Sequence, residues 1–95
     1  MSVILVAQIT IHDRARYGEY EAGFLDIFAR HAGTLRAADE APEIIEGEWP
    51  CTRTVLIEFP GREAAMAWYE SEEYQRLAEH RKAASVGNIA MIKAL

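Results

Sequence analysis

The stretch from Arg53 to Arg81, RTVLIEFPGREAAMAWYESEEYQRLAEHR, constrains the fold more than any other. Val55, Ile57 and Phe59 fall on one side of an extended chain, and Thr54, Leu56 and Glu58 on the other. That alternation predicts a strand over Arg53–Phe59. Pro60-Gly61 stops it. Ala65, Trp68 and Tyr69 then sit at i, i+3 and i+4 of a short helix over about Arg62 to Glu70. Ser71 suits the N-cap of a further helix, with Glu72 and Glu73 at the positive end of its dipole. Tyr74, Leu77, Ala78 and Arg81 make its inward stripe, so an arginine ends an otherwise core-facing row.

The chain ahead of this stretch supplies the complementary parts. Val3 to Ile11, VILVAQITI, is β-branched and almost unbroken, with Val3, Leu5, Ala7, Ile9 and Ile11 on one face. Ile4 and Val6 make the start of the other face apolar as well, which marks a central strand. Asp13 is the expected N-cap of a helix whose stripe runs Tyr17, Tyr20, Phe24, Ile27, Phe28, His31, with Gly33 as its stop. Gly18 and Gly23 weaken that helix by about 1 kcal/mol each relative to alanine, so packing must hold it. Thr34–Ala38 reads as a second strand, Asp39 to Pro42 as a break, Glu43–Glu46 as a resumed extended segment, and Gly47–Pro50 as a loop carrying Trp49. Gly87-Asn88 is expected to turn the chain into a last strand over Ile89–Leu95.

The order is β-α-β-β-α-β with the second helix broken in two. Right-handed crossovers then give an α+β, ferredoxin-like domain over residues 1–95. Its four-stranded antiparallel sheet has the first and third strands central and all helices on one face. The bare face would show Ile4, Val6, Leu56 and Ile92, at about 25 cal/mol per Å² of apolar surface left in water. Two remedies are open: a second copy packed sheet to sheet in a shared dimeric α+β barrel, or the Trp49 loop folded back over the sheet. Apolar residues make up 51% of a chain of only 95. Such a chain buries just about two-thirds of its unfolded surface, and excess apolar surface on it favours a homodimer.

Charge and cysteine content remove several function classes. With 15 acidic and 10 basic residues the net charge is −5, which disfavours nucleic acid, because phosphate binding needs clustered Lys and Arg. Arg76, His80, Arg81 and Lys82 form the nearest basic group, as a helix C-terminus complementing its own dipole does. The apolar run at Val3–Ala7 is too short to span a bilayer and lacks a signal-like charged flank, so no membrane association and a cytoplasmic location are expected. A single cysteine, Cys51, excludes an internal disulfide and fits a reducing compartment. Three histidines and one cysteine show no paired ligand spacing, so neither a metal nor a cofactor is expected.

The block from Phe59 to Arg81 resembles the signature of the domain of unknown function 1330 family. Its matching residues are Phe59-Pro60, Ala65, Trp68-Tyr69, Ser71, Tyr74 and Arg81. Glu46-Gly47 and Trp49 match as well, and the Tyr17/Tyr20 pair does so more loosely. The resemblance covers nearly the whole chain and implies a ferredoxin-like domain of the dimeric α+β-barrel type. It implies no reaction, since that architecture carries cofactor-free monooxygenases, small isomerases, haem-handling proteins and plain binding modules. The chain departs from the pattern at Ala32-Gly33, where the family has Gly-Gly. It departs again at Ala38-Asp39-Glu40, where the family has Arg-Gly-Gly, and Arg36 replaces that arginine only if it points to the same face.

Each candidate site residue has two readings. Arg81 either binds a carboxylate or enolate or pairs with Glu58 or a carbonyl and stacks on an aromatic ring. His31 is either a general acid or base or a helix-end residue bonded to a carbonyl. Glu58 and Gln8, on the dimer side of the sheet, either line a pocket or bond across the interface. Glu58 acting as a base on an activated C–H is the sharpest catalytic reading. Trp68, Tyr69 and Tyr74 are packing residues or a substrate cage, and Trp49 a pocket wall or dimer contact. The catalytic candidates are therefore Glu58 and His31, and the ligand-binding candidates Arg81, Trp49, Trp68, Tyr74 and Gln8. Three classes follow in order: a homodimer binding a small, anionic or neutral organic molecule, a cofactor-independent enzyme of monooxygenase or isomerase type, and a purely structural dimer.

Overall fold

A computed structural model describes residues 1–95. The elements run β1 (Val3–Ile11), α1 (Arg14–Phe28), β2 (Thr34–Asp39), β3 (Arg53–Phe59), α2 (Arg62–Tyr69), α3 (Glu72–Ala84) and β4 (Ser85–Lys93). The four strands form one antiparallel sheet in the order β2-β3-β1-β4. β1 is central because both its faces begin apolar, and alternation decides which face carries the core. Val3, Leu5, Ala7 and Ile9 are buried, whereas Ile4, Val6 and Gln8 between them are only partly covered. β3 repeats the pattern with Val55, Ile57 and Phe59 buried against Thr54, Leu56 and Glu58.

The helices lie on the face of the buried set. Asp13 caps α1 by accepting from the Arg16 amide at 3.1 Å, and Ser71 caps α3 by accepting from the Tyr74 amide at 3.2 Å. α1 and α3 approach closely at Gly23, where a Cβ would stand 2.7 Å from the Leu77 methyl. The glycine that weakens the isolated helix thus admits its neighbour. Glu73 accepts from Arg30 and lies 3.3 Å from His31, while Arg16 donates to His80 at 2.9 Å, tying the two helices at both ends.

Several expected boundaries move: β2 runs one residue past Ala38, β4 stops at Lys93 rather than Leu95, and three others differ more. α1 ends at Phe28 rather than His31. The chain leaves the helix early because Gly33 must slot against the rings of Phe28 and Phe59, where a Cβ would meet carbons at 2.6 and 2.7 Å. Glu43–Glu46 is irregular rather than extended. β4 begins at Ser85, with Gly87 and Asn88 inside it opposite Ile9 and Gln8. The long β1 offers a ladder partner for every residue there, which overrides their turn preference. No loop separates α3 from β4: Ser85 donates its hydroxyl to the Arg81 carbonyl, and Ala84 accepts from the amides of His12 and Asp13.

The domain is a slab of 32 × 32 × 16 Å, one sheet and one helix layer thick. Its outer sheet face carries Ile4, Val6 and Leu56, none of them beneath a helix, and Ile92, which is 50% exposed. Trp49 does fold back, donating its indole N–H to Thr54 at 2.7 Å. It reaches only that end of the face and is itself 40% exposed.

Candidate functional site

Between the sheet and the helix layer lies a cavity of about 250 Å³. It crosses the whole sheet, from Leu35 on β2 through Val55 and Ile57 on β3 and Leu5, Ala7 and Ile9 on β1 to Ile89 on β4. Its roof comes from α1 (Tyr17, Tyr20, Phe24, Leu25), from Trp68 and Tyr69 of α2, and from Tyr74 and Arg81 of α3. Leu25 and Leu35, respectively 66% and 40% exposed, mark a mouth at the β2 side. These are the exposed apolar residues that a fully packed core would have drawn inward.

The aromatic cluster forms both wall and packing. Trp68 lies 4.1 Å from Tyr74 between ring centroids and packs edge-on against Phe28 and Phe24. Its indole nitrogen is buried without a hydrogen-bond partner. The phenols of Tyr20 and Tyr74 share a 2.8 Å hydrogen bond, which satisfies two buried hydroxyls that would otherwise be costly. Burial pushes the Tyr20 phenol far up, and the neighbouring Tyr74 pushes it further. Tyr17 is also raised, chiefly by burial. Both phenols therefore stay protonated near neutral pH.

Two arginines border the cavity, and they differ. Arg53 opens β3 on the helix-facing side and lies with its guanidinium 5.9 Å from the Tyr17 ring. Its charge is answered by Glu40 at 2.9 Å and Glu21 at 3.5 Å. Arg81 is 5% exposed, the only buried charged side chain, with its guanidinium 5.8 Å from the Tyr20 ring centroid. No carboxylate pairs with it, and its Nε and Nη2 meet no acceptor.

Of the residues singled out from sequence, Arg81, Trp68, Tyr69 and Tyr74 come together here. His31, Glu58, Gln8 and Trp49 do not. His31 sits in the turn after α1 against Glu73. Glu58 is on the opposite face of the sheet from Arg81, so the Arg81–Glu58 pair does not form; its carboxylate accepts from Arg36 at 2.9 Å. That bond, and then one from Ser2, hold the Glu58 carboxyl below the usual carboxylate range. Its favourable contribution is present above that range and lost as pH falls through the lowered native value. Arg36 thus points to the outer face, and Asp39 and Glu40 serve structure: Asp39 accepts from the Ala41 amide, while Glu40 bridges Arg14 and Arg53. The sequence reading missed Arg53, Glu21, Leu25, Leu35 and Ile89. Arg53 was detectable, since it shares the face of Val55 and Ile57.

Chemically, the cavity can enclose an apolar body and offer donors at Arg81 and Trp68. No histidine lines it, and its one carboxylate, Glu21, is at the rim leaning toward Arg53. No three His, Cys, Asp or Glu side chains cluster in a way that could hold a metal ion. No helix is long and apolar enough to cross a membrane.

The class this architecture defines is a ferredoxin-like α+β domain with a cavity between its sheet and its helix layer. The family model described as Domain of unknown function (DUF1330) matches residues 2–95, and the chain belongs to that family. No functionally curated protein matches it. Among solved structures it is similar to RPA0582, a protein of unknown function from Rhodopseudomonas palustris. The TM-score is 0.83 at 15% identity, covering 99% of this chain and 82% of that one. It is similar also to SnoaB, a cofactor-independent oxygenase from Streptomyces nogalater (TM-score 0.70, 18% identity, 99% and 93% covered). A third is an uncharacterized NIPSNAP domain protein from Burkholderia xenovorans (TM-score 0.63, 14% identity, 100% and 95% covered). At these identities the likeness is one of fold.

Proposed function

We propose that the protein is a homodimeric module that binds a small, largely apolar organic molecule between its sheet and its helices. The cavity carries this reading: 14 of its 17 lining residues are apolar, and it persists beneath the most aromatic part of the chain. A void of that kind forfeits dispersion contacts along its whole lining, so a protein that keeps one has a use for it. About 250 Å³ lies just below the ~300–1,000 Å³ of sites for drug-sized ligands, which points to a compact guest. Binding is favoured over turnover because the cavity lining offers no histidine and burial pushes its Tyr17 and Tyr20 phenols away from ionising. The fold likeness to a cofactor-independent oxygenase supports turnover as the second reading, in which Arg81 would steady a developing oxyanion. The dimer follows from the outer sheet face, where a second copy would cover Ile4, Val6, Leu56 and Ile92.

Titration with indole, a neutral apolar probe, tests the cavity directly. Methyl resonances of Leu5, Ile9 and Ile57 are expected to shift together and saturably, while those of Ile4 and Ile92 on the outer face stay put. Shifts confined to the outer face, or none, would remove the cavity as a binding site.

A further inference from the structure

Resting on that reading, we infer that the natural guest is a monocarboxylic acid, with its carboxylate seated on Arg81 and its apolar body in the cavity. Every other arginine bordering the site has its charge answered: Arg53 has Glu40 and Glu21. Arg81 is more deeply buried than Arg53, yet it has no acid and two unpartnered donors. A guanidinium cannot shed its charge, so such burial is costly until an anion arrives.

The identity of the two unpartnered atoms narrows the class. Nε–H and one Nη2–H lie parallel along one edge of the guanidinium, the edge that receives both oxygens of a carboxylate. The Tyr20 and Tyr74 phenols bond each other at 2.8 Å, and neither oxygen is a hydrogen-bond partner of Nε or Nη2. Both Arg81 atoms are shut off from water, so the guest must part the side chains around them. A route exists. A second, more open groove lined by Lys82, Ser85 and Gly87 adjoins the cavity, and Tyr69, Arg81 and Ile89 border both. The guanidinium therefore stands where a polar groove meets an apolar chamber, as an acid with an apolar body requires. One carboxylate suffices, because the cavity's other cation is already neutralised.

Calorimetry with trans-cinnamate and with its neutral isostere cinnamamide tests this, alongside indole. The wild type is expected to bind cinnamate about ten- to a hundredfold more tightly than the amide, the range for hydrogen bonds to a charged group. Arg81→Met is expected to erase that preference while still binding indole, and Arg81→Lys to keep only part of it. Equal affinity for acid and amide in the wild type would overturn the inference and leave the cavity reading standing. Failure of all three probes would overturn both. A preference that survives in Arg81→Met would place the anion elsewhere and overturn the inference too. The wild-type comparison needs no variant, so a poorly folding substitution does not blunt the test.

Discussion

Replacing Arg81 by methionine is expected to raise the stability of the ligand-free protein. The side chain is 5% exposed, has no carboxylate partner and leaves Nε and Nη2 unbonded. Its compensations are the face of the Tyr20 ring at 5.8 Å, which contributes about 0.5–2 kcal/mol, the polar Tyr74 phenol beside it, and the negative end of the α3 dipole, which contributes about 0.3–1 kcal/mol. Desolvating a charge costs several kcal/mol even after relaxation, so the desolvation term wins. Methionine keeps the unbranched shape and packs well against Tyr20, Tyr74 and Trp68. A gain of about 1–4 kcal/mol is expected, by comparison with other buried charges exchanged for apolar side chains. In a domain of this size each kcal/mol moves the melting temperature by about 4–8 °C. Thermal unfolding measured by circular dichroism reads this out. A melting temperature lowered by several degrees would mean that the guanidinium is stabilising where it stands, and the case for a missing anion would lose its footing.

The second large effect concerns association. Val6 and Leu56 face each other across the β1–β3 ladder on the outer side of the sheet. Changing both to lysine would place two ammonium groups per protomer in the proposed sheet-to-sheet contact, and symmetry doubles that to four. Several kcal/mol of desolvation and like-charge repulsion would then oppose association. The protomer itself is expected to stay folded, because its core lies on the other face with Leu5, Ala7, Val55 and Ile57. Light scattering at micromolar concentration is expected to give twice 10.7 kDa for the wild type and 10.7 kDa for the double variant. A wild type already at the single-chain mass would remove the dimer, and the outer face would need another account.

Much of the fold is legible in the residues, and the reasons are local. β1 and β3 show a period of two with β-branched and aromatic residues, and their ends are set by His12-Asp13 and Pro60-Gly61. Asp13 and Ser71 start their helices by the capping bonds their side chains make. What is not legible depends on distant partners. Gly87 and Asn88 read as a turn because nothing nearby shows that β1 is long enough to pair with them. His31 continues the helical spacing of α1, but the fit of Gly33 beneath Phe28 and Phe59 ends the helix first. The site divides the same way. Arg81, Trp68 and Tyr74 share one helical face or neighbour it, so spacing brings them together. Glu58 and Arg81 look like natural partners by charge, yet alternation along β3 already puts Glu58 on the side of Leu56, away from the helices. The cavity itself has no local signature, because it is defined by what four strands and three helices fail to fill.

A crystal structure of the protein grown with trans-cinnamate would bear most directly on whether this domain is built around a guest. Density for the ring is expected among Ile57, Trp68 and Tyr20. The two carboxylate oxygens are expected about 2.7–2.9 Å from Nε and Nη2 of Arg81, the distance of charge-assisted hydrogen bonds. A structure in which the helices close down on Leu5, Ile9 and Val55 until no space remains, or in which Arg81 turns out to solvent, would contradict it.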